Sequence, residues 1–302
     1  MTDERILGVI LFPFSVIGVW TNFSVLFYFR KVSSLNSSFG IISANQALSN
    51  GIYCSLALFY LVPSLIWNIQ IMKIYSYHCG FVLYLLYDVA TESHLLISIN
   101  RFTAIYFPHT FSKYFKSKQT YYILTILWVI LAIIAVIVFE FKCKMYYEEK
   151  YWVFLYSDND DCSSITFYID FVFHMIVICC VTFLNICTFL KVRKSNKVLS
   201  STIDQKSSKR KQKIEKSFLK QMFYQSSIYV IALLTYFFVA ILIEDNWLRF
   251  FVITLPWIII HSLDGTVIIL CNPELCTVCL SKWGLSVIGS NRQTTVVVAS
   301  VK

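Results

Sequence analysis

The chain of 302 residues is 57% hydrophobic and 17% aromatic but only 14% charged, with a formal charge of +9. A soluble fold of that size would leave much apolar surface in water, so the composition excludes an ordinary soluble domain and points to one that faces lipid. With 8 Gly, 5 Pro and long unbroken apolar runs, the spans read as helices rather than as strands of a barrel, and the length holds about seven of them with no second soluble domain.

In chain order, spans are expected at Ile6–Phe29, Phe39–Leu61, Gly80–Ala104, Tyr121–Phe141, Ile165–Leu190, Phe218–Ile243 and Phe250–Cys271. The first run is not a cleaved leader. Its leading residues Asp3, Glu4 and Arg5 are not basic, and the positive flank, Arg30 and Lys31, follows it. That order puts the N-terminus outside and the first loop in the cytoplasm. Lys and Arg agree: eleven lie in Lys191–Lys220, whereas only Arg5, Lys73, Lys142, Lys144, Lys150 and Arg249 fall outside. The excess charge therefore sets orientation and implies no nucleic-acid partner.

The same topology has three consequences. The sequons at Asn22–Ser24 and Asn36–Ser38 lie in a span and in a cytoplasmic loop, so neither is expected to carry a glycan. The polar, basic, Ser-rich stretch Lys191–Lys220 reads as a mobile cytoplasmic loop. Residues 1–274 form the membrane domain and 275–302 a cytoplasmic tail, whose start, Glu274–Trp283, has the pattern of a short amphipathic helix along the membrane. Cys276 and Cys279 there are juxtamembrane candidates for palmitoylation, with two unmodified thiols as the alternative.

Cysteine usage is not that of a disulfide scaffold. Cys54, Cys179, Cys180, Cys187 and Cys271 sit inside apolar runs, where a thiol packs as a small hydrophobe, and only Cys79, Cys143 and Cys162 are placed toward an oxidising compartment. Ionisable residues within spans are functional candidates because they are expensive in lipid: Asp88, Glu92, His94, Asp170, His174 and His261. Asp88 and Glu92 share a face at i and i+4; with His94 they read first as packing contacts. No metal-ligand spacing links the histidines, and no cofactor is implied. The outer halves of the spans offer Tyr84, Tyr87, Asp88, Tyr168, Phe171, Tyr236, Phe237 and Trp257 as a lining for a small, mostly apolar ligand, although aromatics also fill and belt any such bundle.

The most specific string closes span three: Leu95-Leu96-Ile97-Ser98-Ile99-Asn100-Arg101-Phe102-Thr103-Ala104-Ile105-Tyr106-Phe107-Pro108. It resembles the rhodopsin-like receptor signature of an acid, an Arg and an aromatic followed by a Pro seven residues after the Arg. A lone Arg there would merely satisfy the positive-inside rule. Within the string, a guanidinium at a helix end can pair with neighbouring spans in one state and with a partner in another, which marks Asn100, Arg101, Phe102, Ile105 and Pro108 as coupling candidates. Gly18 with Asn22, Asn50, Trp128, and Asp264-Gly265 with Asn272 resemble further positions of the same superfamily. A carboxylate buried in a span needs polar partners, so Asn22, Asn50, Asp264 and Asn272 are expected to form an interhelical network.

Departures narrow the resemblance. Asn100 replaces the acid, span six lacks Cys-Trp-x-Pro, span five lacks its Pro, and Cys79 lies 22 residues before Arg101 rather than the usual 25 or so. The combination of Leu35-Asn36-Ser37-Ser38-Phe39-Gly40, Tyr87-Asp88, Ser93-His94, Asn100 to Phe102, Asp264-Gly265 and Asn272 to Glu274 resembles the nematode serpentine receptors of class x, over about Ile6–Glu274.

That resemblance implies an all-α seven-helix bundle acting as a chemosensory receptor, not an enzyme. Its partners would be a small-molecule ligand, a heterotrimeric G protein and the bilayer, at the plasma membrane of sensory-neuron cilia. It also favours a Cys79–Cys162 disulfide, with Cys143 as the competitor for Cys162. An amine-binding carboxylate would be expected where this chain has Leu83, so amine recognition is not implied. Span seven holds no Lys for a retinal Schiff base. A ligand-gated channel or small-molecule transporter is the rival class, disfavoured by the lack of internal repeats, broken helices or a pore loop.

Overall fold

The computed structural model describes residues 3–140, 143–199, 223–239 and 242–282, without the side chains of 34 and 195–199. Among the described residues, six helices are long and apolar enough to cross a membrane: α1 (Asp3–Lys31), α2 (Ser38–Ile66), α3 (Ser76–Tyr106), α4 (Ser117–Glu140), α5 (Asp160–Lys194) and α7 (Asn246–Cys271). Between the last two, α6 (Phe223–Val239) is a shorter apolar helix, and α8 (Pro273–Lys282) follows α7. All seven expected spans are therefore helical over their described residues, apart from Ile243 at the end of the sixth, which is not helical. Most of the basic stretch Lys191–Lys220 lies outside the described residues; its start, through Leu199, continues α5 as helix.

Close packing follows from small residues. A Cβ on Gly18 would collide with Cys54 Sγ, and one on Gly265 would stand 2.7 Å from Asn22 Oδ1, so α1, α2 and α7 approach closely where those glycines sit. α1 packs on α2 and α7, α3 lies between α2 and α5, and α4 covers α2 and α3 with an outer face of exposed Ile126, Val129, Ile130, Ile133 and Val136, as a lipid-facing helix should.

Among the described residues, four helices carry a widened, π-type turn: Ala57–Leu61 in α2, Thr166–Val172 in α5, Thr235–Val239 in α6 and Phe250–Thr254 in α7. In α2 and α7 the widening lies beside Pro63 and Pro256, which cannot donate to the helix ladder. All four lie in the outer half of the bundle.

A hairpin of β1 (Met145–Glu148) and β2 (Val153–Tyr156), paired antiparallel with Tyr147 opposite Phe154, lies across the outer end. Gly80 lets it sit directly on α3, because a Cβ there would strike the Met145 carbonyl oxygen. Tyr147 N donates to Ser76 Oγ at 3.0 Å, and Thr254 Oγ1 donates to the Trp152 carbonyl at 2.8 Å, tying the hairpin to α3 and α7. Lys73 completes the clamp. Its ammonium reaches Glu4 at 2.7 Å, Asn68 at 2.7 Å and Glu149 at 3.2 Å, which offsets the cost of burying a charge that is only 5% exposed.

The disulfide corrects one expectation. Cys162 bonds Cys143, and Cys79 is a free, buried thiol. The hairpin folds the chain after α4 back toward α5 and brings Cys143 beside Cys162, whereas Cys79 points into the bundle.

Candidate functional site

Beneath the hairpin lies a cavity of about 90 Å³ between α2, α3, α5, α6 and α7. Tyr84, Tyr87, Tyr236, Phe237 and Trp257 from the expected lining do line it. Other expected residues lie elsewhere. Tyr168 is 66% exposed on the outside of α5, and Phe171 packs at a tilt against Phe237, 4.8 Å between ring centres, and does not line the space. Asp88 is buried behind the wall, facing His174 at 3.2 Å. Tyr53, Cys79, Leu83, Tyr156 and Asp170 also line the cavity and were not expected to. The hairpin supplies Met145, Val153, Phe154 and Tyr156, so the outer loop forms the roof. A roof over a mostly apolar space excludes water and favours small ligands with a limited polar end.

At one wall, Asp170 joins three elements. Tyr156 on β2 donates its hydroxyl to Asp170 Oδ2 at 2.8 Å, and His174, one turn along α5, contacts the Asp170 backbone carbonyl at 2.6 Å through Nδ1. His174 Nε2 faces Asp88 Oδ1 on α3. Tyr87 stands between this cluster and α7, 4.8 Å from the His174 ring and edge-on to Trp257 at 5.0 Å.

Deeper in the bundle, Asp264 on α7 is fully enclosed and heavily hydrogen-bonded. Asn50 Nδ2 donates at 2.9 Å, Gln46 Nε2 at 3.0 Å, Gln225 Nε2 at 3.0 Å to the other oxygen, and the Tyr229 hydroxyl approaches at 3.4 Å. His94 Nε2 stands 3.4 Å away. Four helices, α2, α3, α6 and α7, thus converge on one carboxylate. Asn50 also contacts His261 Nδ1 at 2.7 Å through Oδ1, and Asn22 donates to the Gly18 and His261 carbonyls. The expected pairing of Asn50 with Asp264 is present, and Asn22 reaches the group one turn away. Asn272 lies elsewhere: about two turns beyond Asp264, its Oδ1 accepts from Leu275 N and caps α8. A second, smaller network runs from Trp128 Nε1 to Asn45 (2.8 Å) to Ser93 (3.0 Å) and ties α4 to α2 and α3.

At the cytoplasmic end, Asn100 is buried and donates to Ser38 Oγ at 2.8 Å, so its amide is turned to the start of α2. The Arg101 guanidinium lies 3.8 Å from the centre of the Phe39 ring, a cation–π contact within the α2–α3 seam. Phe102 stacks on Tyr106 at 4.5 Å, and the Tyr106 hydroxyl donates to the Cys187 carbonyl on α5 at 3.0 Å. Ile105 is half-buried, and Pro108 is exposed at the start of a short helix, Pro108–Tyr114. In α8, Cys276 is half-buried while Cys279 is sealed in the inner core with Val25, Leu35 and Leu275; burial pushes its thiol up to about 11.

The family model described as "Serpentine type 7TM GPCR chemoreceptor Srx" matches residues 12–272. The chain belongs to this Srx family. Similar curated proteins include "Serpentine receptor class X 45" of Caenorhabditis elegans, 28% identical over 293 residues, covering 91% of this chain and 81% of the relative. "Serpentine receptor class X-43" of the same organism is 22% identical over 278 residues, covering 90% and 86%. Among solved structures, squid rhodopsin superposes with a TM-score of 0.72 at 17% identity, covering 92% of this chain and 84% of that one, which shows the shared seven-helix fold. As an Srx member the chain is a multi-pass membrane protein and a G-protein-coupled chemosensory receptor, from a family of receptors rather than of enzymes.

Proposed function

We propose that this receptor detects a small molecule in the cavity under the hairpin and passes the event through the Asp264 network to Arg101, where a heterotrimeric G protein is engaged. The observation that carries the reading is the alignment of three layers along α3: Leu83, Tyr84 and Tyr87 line the cavity, His94 faces Asp264, and Arg101 closes the helix against Phe39. Tyr87 also touches Trp257 on α7, the helix that bears Asp264, so a ligand pressing on that wall shifts a helix pair whose polar contacts lie two turns below. The proposed place of action is the plasma membrane of sensory neurons, in their cilia.

The test is purified receptor in lipid nanodiscs, a broad panel of volatile and metabolite compounds, and nucleotide exchange on a purified heterotrimeric G protein. An activating compound is expected to lose its effect in Leu83→Trp, which fills the cavity without touching the cytoplasmic face. Activation that survives the filled cavity would place the ligand elsewhere. Current gated by the compound in G-protein-free bilayers would replace the receptor mechanism with a channel.

A further inference from the structure

We propose that the cavity selects a small protonated amine, held by the free oxygen of Asp170 against the aromatic wall of Tyr84, Tyr87, Tyr236 and Trp257; this rests on the cavity's being the ligand site. Asp170 is only 6% exposed, yet it borders the cavity and its Oδ1 has no hydrogen-bond partner. The carboxylate's other oxygen is used by Tyr156. His174 does not satisfy Oδ1, although Nδ1 stands 3.1 Å away, because the Nδ1 proton has a nearer acceptor in the Asp170 backbone carbonyl at 2.6 Å. A carboxylate oxygen enclosed without a donor is costly, and a ligand that brings a donor recovers that cost.

Charge adds a second, independent reason. Two carboxylates, Asp88 and Asp170, flank one imidazole, so the trio holds one more acid than base. Glu92, one turn below Asp88, is also buried, with Oε1 unpaired. Among the described residues, no Lys or Arg lines the cavity. An anion would therefore meet repulsion, and a neutral ligand would leave the field uncompensated. An ammonium supplies the donor, the positive charge, and a partner for aromatic faces, which attract cations through their ring quadrupoles. The size suits an amine of about four to eight heavy atoms, since the space admits several water-sized probes but no extended ligand.

The carboxylate comes from the widened turn of α5, not from α3, where Leu83 occupies the position at which an amine-binding acid was sought. Asp170 lies within that turn and borders the cavity.

Purified receptor in nanodiscs should be titrated with primary alkyl and arylalkyl amines of this size, each paired with the alcohol of the same carbon skeleton. For the best-fitting skeleton the amine is expected to bind about tenfold or more tightly than its alcohol, the worth of one charge-assisted hydrogen bond. Asp170→Asn should abolish that preference. Tyr156→Phe frees Oδ2 as a second acceptor and should widen it, a result that remains decisive if the Asp170 variant does not fold. Alcohols binding as tightly as amines, with both lost in Leu83→Trp, would overturn the amine assignment and leave the cavity reading standing. Binding that Leu83→Trp leaves intact would remove both, and no binding by any member of either series would overturn the amine assignment alone.

Discussion

Cys143 and Cys162 stand with their Cα atoms 4.9 Å apart and are covalently joined, 19 residues apart in sequence, so the β1–β2 hairpin is a closed loop stapled between α4 and α5. Both cysteines are buried, in a small apolar cluster with Val138. A staple of that loop length removes chain entropy from the unfolded state worth about 3 kcal/mol. Cys143→Ser and Cys162→Ser are therefore expected to lose most surface-delivered receptor, and Cys79→Ser very little. Mass spectrometry of non-reduced peptides should find Cys143 joined to Cys162; a Cys79–Cys162 peptide would contradict the structure.

The Asp264 network makes an ordered pair of expectations. Asp264→Leu removes the acceptor from the buried amides of Asn50 and Gln46, at about 1–3 kcal/mol for each donor left unmade. Asp264→Asn keeps one acceptor oxygen in nearly the same place and should be milder. Thermal unfolding of detergent-purified protein should rank wild type above Asp264→Asn and both well above Asp264→Leu. A Leu variant as stable as wild type would show the network to be dispensable for the fold.

Much of this was legible in the sequence, and the misses share a cause. Spans could be read because lipid leaves each segment one solution, a helix that satisfies its own backbone. The Asn50–Asp264 pairing followed from the cost of a buried carboxylate. Gln46, Gln225 and Tyr229 gave no such signal, since each is an unremarkable polar residue in its own helix and gains meaning only from the register of four helices around Asp264. Tyr168 was misplaced because a uniform helical period fails across the widened Thr166–Val172 turn. The cysteine pairing depended on the hairpin, whose strands of four residues are too short to stand out beside the long apolar runs.

In α8 the two thiols should behave differently. Cys279 is 0% exposed and burial pushes its thiol up to about 11, so at neutral pH it is both protonated and covered; Cys276, three residues earlier, is half-buried. Acylation at this end of the receptor is therefore expected at Cys276 alone. Acyl-exchange labelling of the expressed receptor should be lost in Cys276→Ser and kept in Cys279→Ser; the reverse pattern would mean that α8 lifts off the bundle in the membrane.

The last expectation concerns Arg101. Its guanidinium lies over the Phe39 ring at 3.8 Å, and Phe39 itself is 2% exposed within the inner core. The contact is worth about 0.5–2 kcal/mol and joins the cytoplasmic ends of α2 and α3, so it holds in place the one cation of the span-three string. An Arg at a helix end can also extend its head to the interface, so the fold should tolerate its loss. Arg101→Ala should accordingly reach the surface at near wild-type level while stimulated nucleotide exchange is abolished or falls at least about tenfold. Phe39→Leu keeps an apolar side chain in the core but removes the ring, and releasing about 1 kcal/mol should raise basal exchange by about fivefold. Asn100→Asp acts in the opposite direction: it sets a carboxylate next to Arg101 in sequence, in place of an amide now given to Ser38, and is expected to lower basal exchange. Surface epitope level with basal and stimulated exchange, measured for all three variants, decides the matter. Wild-type stimulation by Arg101→Ala at equal surface level would take Arg101 out of the coupling mechanism, and a Phe39→Leu receptor with unchanged basal activity would take the ring contact out of the resting lock.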